Sequence, residues 1–179
     1  GDVNVNGTIN TSSTANSTGS PALLLAAGYS DAVGTSNNNI TINGTQTVSD
    51  GSGGLGLIYT GSATNSGLTS LLGSGSGRYR YSTNLTSAGY NTTAAPVSSG
   101  LYALYRETPT LTISTANASI VYGNSSSSAI TTSALNGDTL ADIFGSGSVP
   151  TVTVSGNTST AGFYTAGNHS VNISGPTMN

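Results

Sequence analysis

Two segments of this chain carry the same alternating pattern, and they begin 37 residues apart. The first runs from Asp2 to Thr8 and the second from Asn39 to Thr45. In each, two β-branched residues flank one polar residue, which places both on one face of a strand. An Asn-Gly pair then favours a tight corner. Strands and corners at a fixed spacing are typical of a β-solenoid, and this spacing suits about two coils of roughly 18 to 20 residues each.

Two apolar runs, at 22–28 and 54–59, alternate with the repeated segments. The alternative to a solenoid is a β-sandwich with two similar hairpins. We favour the solenoid, because a coil carries polar loops of uneven length more easily. In that arrangement Asn6 and Asn43 lie in register as part of a polar ladder. The residues expected to point into one apolar interior are Val3, Val5, Ile40 and Ile42.

The composition excludes several functions. Charged residues make up 5% of the chain, against about 25% in ordinary globular domains, while Ser and Thr make up about a third. With a net charge of −3 and no Lys, the chain lacks a basic patch, so we expect no nucleic-acid partner. No apolar run approaches the roughly 18 residues of a membrane-spanning helix, so we expect no membrane insertion.

The absence of Cys fits a protein that is exported unfolded through an outer-membrane pore, or one that long hydrogen-bonded sheets stabilise. The run 22–27 is too short for a signal peptide and lacks the basic flank. Because the sequence begins at Gly1 rather than Met, we expect a processed product or a segment of a longer protein.

A change in the residue pattern near Pro109 predicts two domains, at 1–108 and 109–179. Residues 107–110 resemble a short linker. Beyond them the sequence predicts a hairpin starting at 111, a short helix within 135–144, and alternating strands at 151–155 and 170–174. Asp138 is a candidate N-cap for that helix. We therefore expect an all-β chain with at most one short helix, in which a β-solenoid-like section precedes a module of β-grasp order.

The three cations and five of the nine tyrosines fall between residues 78 and 106. One interpretation is a face that binds sugar or a protein partner, because Tyr and Arg supply stacking and forked hydrogen bonds. The favoured interpretation is an interdomain joint that closes the last coil, in which Arg stacks on Tyr and pairs with Glu107. The strand predicted at 100–105 would partly bury two of the tyrosines. The candidate contact residues are Arg78, Tyr79, Arg80, Tyr81, Tyr102, Tyr105 and Arg106.

No set of residues in the sequence predicts catalysis, a cofactor or a metal. His169 is the single histidine, and its Gly/Asn-rich surroundings predict a solvated turn residue. Acid–base chemistry would need two of the six carboxylates to converge. Asp138 and Asp142 are four residues apart on the predicted helix, but capping explains the first and exposure the second. The loop 50–54 supplies one carboxylate, fewer than a calcium site usually has. We therefore expect a protein that is not an enzyme.

Two parts of the sequence resemble families of bacterial exoproteins. The Ile-x-Ile-x-Gly run at 40–44, the short apolar runs and the tyrosine-rich stretches 77–81 and 100–107 resemble the shaft of filamentous-haemagglutinin-like adhesins. Val-Tyr-Gly-Asn at 121–124, with 161–164 and 171–175, resembles the mostly-beta-grasp module, or YDG type, of giant surface adhesins.

This resemblance implies an extracellular, cell-surface protein with a structural or adhesive role in a bacterial adhesin or biofilm matrix. The implied partners are a host or sibling cell surface, polysaccharide, or further copies of the chain. Two other functions stay open. A self-assembling filament subunit would be joined by strand-edge pairing, and a carbohydrate-binding module would use the tyrosines and arginines.

Asn-x-Ser/Thr occurs about twelve times, about twice what this composition gives by chance. Some adhesins that the chain resembles carry sugars on such sites, so glycosylation is one interpretation. Ordinary turn chemistry is the favoured one. The candidate acceptors are Asn6, Asn43, Asn84, Asn91, Asn124 and Asn157.

Overall fold

The computed structural model describes residues 1–43, 48–85, 98–108, 112–115, 130–133, 135–139 and 150–175. The described parts are mostly short strands, which confirms the all-β class. The strands are β1 Val3–Val5, β2 Ile9–Asn10, β3 Asn16–Ser17, β4 Ser20–Pro21, β5 Leu23–Ala26, β6 Ile40–Ile42, β7 Val48–Ser49, β8 Leu55–Thr60, β9 Tyr79–Arg80, β10 Gly100–Tyr105, β11 Thr112–Thr115, β12 Ile130–Ser133, β13 Thr151–Ser155 and β14 Ser170–Ser174. The helices are α1 Ala63–Ser66 and α2 Thr69–Leu72, and a 3-10 turn spans Leu135–Gly137.

The two repeated segments lie side by side. Strand β1 pairs in parallel with β6, with Val3 opposite Ile40. Strand β2 pairs in parallel with β7, and β5 with β8. We call residues 3–26 the first pass of the chain and residues 40–60 the second pass. Each strand type of the first pass therefore lies against its counterpart in the second.

The spacing of 37 residues is one pass of the chain, so the expectation of two shorter coils is wrong. The two repeat strands, β1 and β6, are direct hydrogen-bonded neighbours, with no other strand between them. The first pass is long because it contains a β3–β4 hairpin as well as its three parallel strands.

A parallel sheet of four strands forms the centre of the fold, in the order β5-β8-β10-β9. Every residue of β8 is buried, as are five of the six residues of β10. Their apolar side chains fall into two core clusters. Strands that are buried on both faces have nearly continuous apolar sequences, and 55–59 and 101–105 have that character.

The expected apolar interior is confirmed at two of its four positions. Ile40 is 0% exposed and Val5 is also buried. Ile42 is half-buried. Val3 is 37% exposed, against expectation. Val5, two residues further along the same strand, is covered by the core, so burial on this face begins only after Val3.

The expectation of at most one short helix is wrong, because α1 and α2 lie between β8 and β9. The Ser62 side chain accepts a hydrogen bond from the Asn65 N–H and caps α1. Gly67 ends α1 in the left-handed conformation, with φ of 60°. Leu68 then anchors the connection to α2 in the core. Of the helix expected within 135–144, the structure describes the 3-10 turn and two following residues; 140–144 lie outside the described residues.

The described strands of the second predicted domain form two separate antiparallel pairs, β11–β12 and β13–β14. The strands expected at 151–155 and 170–174 are confirmed. Val152 faces Ile173 and Val154 faces Val171, so one face of this hairpin is apolar. The boundary at Pro109 lies outside the described residues, and the β-grasp arrangement stays a prediction.

The burial of β6 gives a direct test of the parallel stack. We expect Ile40→Asp to cost roughly 4 kcal/mol or more, because it buries an unpaired charge, and to lower the melting temperature by roughly 10 °C. Thr41→Asp is the matched control, since Thr41 faces the other side of the strand and is half-buried. Thermal unfolding followed by circular dichroism measures both. An equal loss in the two variants would contradict the described orientation of β6.

Candidate functional site

The seven candidate residues lie on or next to strands β9 and β10. We call them the tyrosine–arginine cluster: Arg78, Tyr79, Arg80, Tyr81, Tyr102, Tyr105 and Arg106. Strand pairing brings them together, because β9 lies beside β10 with Tyr79 opposite Ala103 and Arg80 opposite Leu104. Alternation along β9 then sends Tyr79 and Arg80 to opposite faces of the sheet. The cluster therefore has a tyrosine side and an arginine side.

On the tyrosine side, three rings stack. The Tyr105 ring lies 6.3 Å from that of Tyr79 and 5.5 Å from that of Tyr81, each at 19° between planes. Tyr79 and Tyr105 are buried, and the Tyr79 hydroxyl donates a hydrogen bond to the Gly73 carbonyl at 2.8 Å. Burial raises the pKa of the phenols of Tyr79 and Tyr105 above the ordinary value. The Tyr79 and Tyr105 rings therefore belong to the core, and Tyr81 packs against it half-buried.

Tyr81 joins the end of this stack to the segment 135–139. Its hydroxyl donates to Asp138 Oδ2 at 2.8 Å and accepts from Asn136 Nδ2 at 2.8 Å. Asn136 Oδ1 accepts from the Thr69 hydroxyl at 2.9 Å, and its carbonyl accepts from the Gly75 N–H. Burial raises the pKa of Tyr81, and the hydrogen bond and charge of Asp138 raise it further. A residue expected to cap a helix thus holds a tyrosine of the first predicted domain.

On the arginine side, two guanidinium groups lie over one ring. Arg78 Cζ is 5.2 Å and Arg80 Cζ is 5.3 Å from the centre of the Tyr102 ring. Both distances fall within the roughly 6 Å range of cation–π attraction. Arg80 also donates to the carbonyls of Gly77 and Tyr79. Tyr102 is buried, and both arginines are half-buried.

Arg106 is 1% exposed and fixes the loop of residues 27–38 to the end of β10. Its guanidinium donates to three backbone carbonyls and to one hydroxyl. The acceptors are Ala27 O at 2.6 Å, Asn37 O at 2.5 Å, Asn38 O at 2.9 Å and Thr35 Oγ1 at 3.3 Å. Burial lowers the pKa of Arg106, while the charge of Asp31, 3.5 Å away, opposes that shift.

The expected pairing of arginine with Glu107 is wrong for Arg106, whose ion pair is with Asp31. Glu107 Oε2 instead accepts from the Ala63 N–H at 2.8 Å, at the start of α1. A carboxylate at that place satisfies one of the free N–H groups of a helix. Gly28 makes room for the ion pair: it has φ of 63°, and a Cβ there would overlap Asp31 Oδ2.

The structure thus places the seven candidates in three groups of packed, internally bonded side chains: the stacked tyrosines, the two arginines over Tyr102, and Arg106 at the loop 27–38. The expected burial of Tyr102 and Tyr105 is confirmed. Two further residues of the site, Asp31 and Asn136, are not among the candidates that the sequence predicts. The ion pair of Asp31 leaves no local signal, because Arg106 lies far along the chain. Asn136 does have a local signal, because an Asn-Gly pair favours the positive φ that Asn136 and Gly137 adopt.

The candidate glycosylation sites differ in their placement. Asn6 and Asn43 are exposed, and Asn43 Nδ2 donates to Asn6 Oδ1 at 2.7 Å, which confirms the expected ladder. Asn157 is exposed. Asn84 is 8% exposed and donates through Nδ2 to the Asp31 carbonyl, so the folded chain has no room for a glycan there. Asn91 and Asn124 lie outside the described residues.

Among the described residues, no three His, Asp or Glu side chains come close enough to hold a metal ion. In the same part of the chain, no helix has the length and apolar character to cross a membrane. His169 is not a solvated turn residue as expected. It is half-buried, its Nε2 lies 2.7 Å from the Thr165 carbonyl, and it contacts the Tyr164 ring edge-on because Gly156 leaves space beside it.

Comparisons of the chain with protein-family models, curated proteins and solved structures find no match. The resemblance to bacterial adhesins therefore rests on the motifs of the sequence.

Arg106 should be the most stabilising member of the cluster. Arg106→Met leaves three backbone carbonyls without their donor and removes the cation beside Asp31, which keeps its hydrogen bond from Asn38. We expect it to cost roughly 3 kcal/mol or more and to lower the melting temperature by about 6 °C or more. Arg78→Met is the matched control, because Arg78 is half-buried and should cost about 1 kcal/mol or less. Equal destabilisation by the two substitutions, measured in denaturant melts, would contradict the assigned role.

The raised pKa values of Tyr79, Tyr81 and Tyr105 predict alkaline unfolding. The folded chain holds these phenol protons more tightly than the unfolded chain, whose tyrosines ionise near pH 10. The stability they contribute is therefore complete below about pH 10 and falls as the pH rises above it. Unfolding free energy measured in urea against pH tests this. Tyr81→Phe combined with Tyr105→Phe should flatten the alkaline decline, and an unchanged slope would argue against it.

Proposed function

We propose that this chain is a structural, adhesive segment of a secreted bacterial surface adhesin or biofilm matrix protein, with no enzymatic role. The observation that carries the proposal is the parallel stacking of successive passes, β1 on β6 and β5 on β8 on β10. We interpret residues 1–108 as a β-solenoid-like section and residues 109–179 as a β-grasp-like module.

The stacking suits a protein that carries load. Each pass is joined to the next by backbone hydrogen bonds, and the polar ladder reinforces them, since Asp2 Oδ1 accepts from the Asn39 N–H at 2.7 Å as Asn6 accepts from Asn43. These contacts need no long-range charge interactions, so they are little affected by salt. An extended scaffold in the variable medium outside a cell benefits from that property.

The tyrosine–arginine cluster supports the role of a cap. A stack of passes exposes its last layer unless side chains cover it, and Tyr79, Tyr105 and Arg106 are buried there. The bonds of Tyr81 to Asn136 and Asp138 support an interdomain joint at the same end. A carbohydrate-binding role finds less support, because stacking on sugar needs an open aromatic face and Tyr102 is covered by two arginines.

A self-assembling filament subunit is the second candidate, favoured by the side of β5 that has no neighbour among the described strands. This strand lies at the end of the four-stranded sheet, carries no charge, and exposes Leu24 by 45%. Uncharged edge strands pair readily with other chains. Regular fibres in electron micrographs of the purified chain would favour this function, and isolated rods or particles the adhesin segment.

The test of the proposal separates capping from binding. Tyr105→Ala removes a buried ring, so we expect a loss of roughly 3 kcal/mol or more and a melting temperature lower by several degrees. Adhesion of the folded variant to bacterial cells and polysaccharide should not change. Arg78→Ala with Arg80→Ala is the matched pair, since these are the more accessible members. A normal melt with lost adhesion in either variant would put the carbohydrate-binding function first.

A further inference from the structure

The chain carries an exposed Asn-Gly corner at Asn6 and Gly7, outside the tyrosine–arginine cluster. Asn6 is exposed at the end of β1, and no described atom beyond the chain neighbours lies within 4 Å of the place a Cβ of Gly7 would take. Because glycine has no side chain, its own backbone nitrogen can approach the side chain of the asparagine that precedes it. We propose that Asn6 is a site of spontaneous, self-catalysed deamidation.

The reaction needs only water as co-reactant. The backbone nitrogen of Gly7, after losing its proton, attacks Cγ of Asn6 and forms a five-membered succinimide. The Cγ–Nδ2 bond breaks and ammonia leaves with that proton. Water then opens the ring at either carbonyl, which gives aspartate or isoaspartate. No electrons are transferred.

The polar ladder activates this asparagine. Asn43 Nδ2 donates to Asn6 Oδ1 at 2.7 Å. As the nitrogen of Gly7 attacks, negative charge develops on that oxygen. A fixed hydrogen-bond donor stabilises such a charge more in the transition state than in the ground state. The same contact that joins the two passes therefore assists the reaction at Asn6.

The chain has two further Asn-Gly pairs. Asn43 precedes Gly44, which lies outside the described residues. The pair Asn136-Gly137 is described and lacks the freedom that the reaction needs. Asn136 is held with φ of 57°, its Oδ1 accepts from Thr69, and its Nδ2 donates to Tyr81. A Cβ on Gly137 would overlap the Ser74 hydroxyl, so this corner is also crowded. The side chain cannot turn toward the Gly137 nitrogen without breaking these bonds. Asn136 is therefore an internal control with the same Asn-Gly pair.

Deamidation at Asn6 would alter the first pass in two ways. It changes the net charge from −3 to −4, since one neutral amide becomes a carboxylate. The isoaspartate product also lengthens the backbone by one carbon between β1 and β2. Both strands are fixed in register, by Val5 opposite Ile42 and by Ile9 opposite Val48. The inserted atom should strain that register and lower the stability of aged protein.

The experiment follows conversion at both sites by tandem mass spectrometry of folded protein kept in a mildly alkaline buffer. We expect Asn6 to convert at least several-fold faster than Asn136, and the two rates to become equal in denaturant. Gly7→Ala, which the open surroundings tolerate, should slow conversion at Asn6 many-fold. Equal rates at the two sites in the folded chain, or no effect of Gly7→Ala, would overturn the proposal.

Asn43→Ala tests the activation by the ladder. Loss of the donor should slow conversion at Asn6 several-fold, although it loosens the corner. If the Asn43–Asn6 hydrogen bond only held the corner in place, Asn43→Ala would speed conversion at Asn6, because a more mobile side chain reaches the Gly7 nitrogen more often. Faster or unchanged conversion at Asn6 in this variant would therefore overturn the assisting role of Asn43.

Discussion

One buried guanidinium joins the separate parts of the stacked section. The side chain of Arg106 binds the loop that ends the first pass, through Ala27, Asn37 and Asn38. Its backbone N–H donates to the Thr60 carbonyl at the end of the second pass. A single residue after β10 thus ties together three layers, and its five guanidine N–H groups suit this because they donate in several directions at once. A lysine could not satisfy the same set of acceptors.

The chemistry of Tyr and Arg is used here for cohesion. Both residue types are common in binding faces, but in this chain the rings stack on one another and the cations meet rings and carbonyls of the same molecule. The distinction lies in burial and in the number of internal partners, neither of which composition reveals. A chain with three cations that buries one of them fully has little left for an electrostatic surface.

The sequence predicted features that depend on local pattern. The repeat anticipated the in-register ladder of Asn6 and Asn43, and alternation anticipated the strands at 151–155 and 170–174. The length of one pass could not be predicted from the sequence, because the residues of the β3–β4 hairpin show no apolar periodicity. Nor could the Arg106–Asp31 pair be predicted, because a charge pair between distant segments leaves no local signal. The helices α1 and α2 are too short for a helical pattern to appear.

The strand order of the central sheet bears on how the chain folds. Strand β9 precedes β10 in sequence, yet β10 lies between β8 and β9. A chain that folds progressively from its amino end therefore reaches β9 before the strand that β9 must pair with exists. During that interval the edge of β8 that β10 will occupy is open to β9, which also pairs in parallel. Arrival of residues 100–105 would then be the step that commits the sheet to its native order, at the cost of closing a long loop.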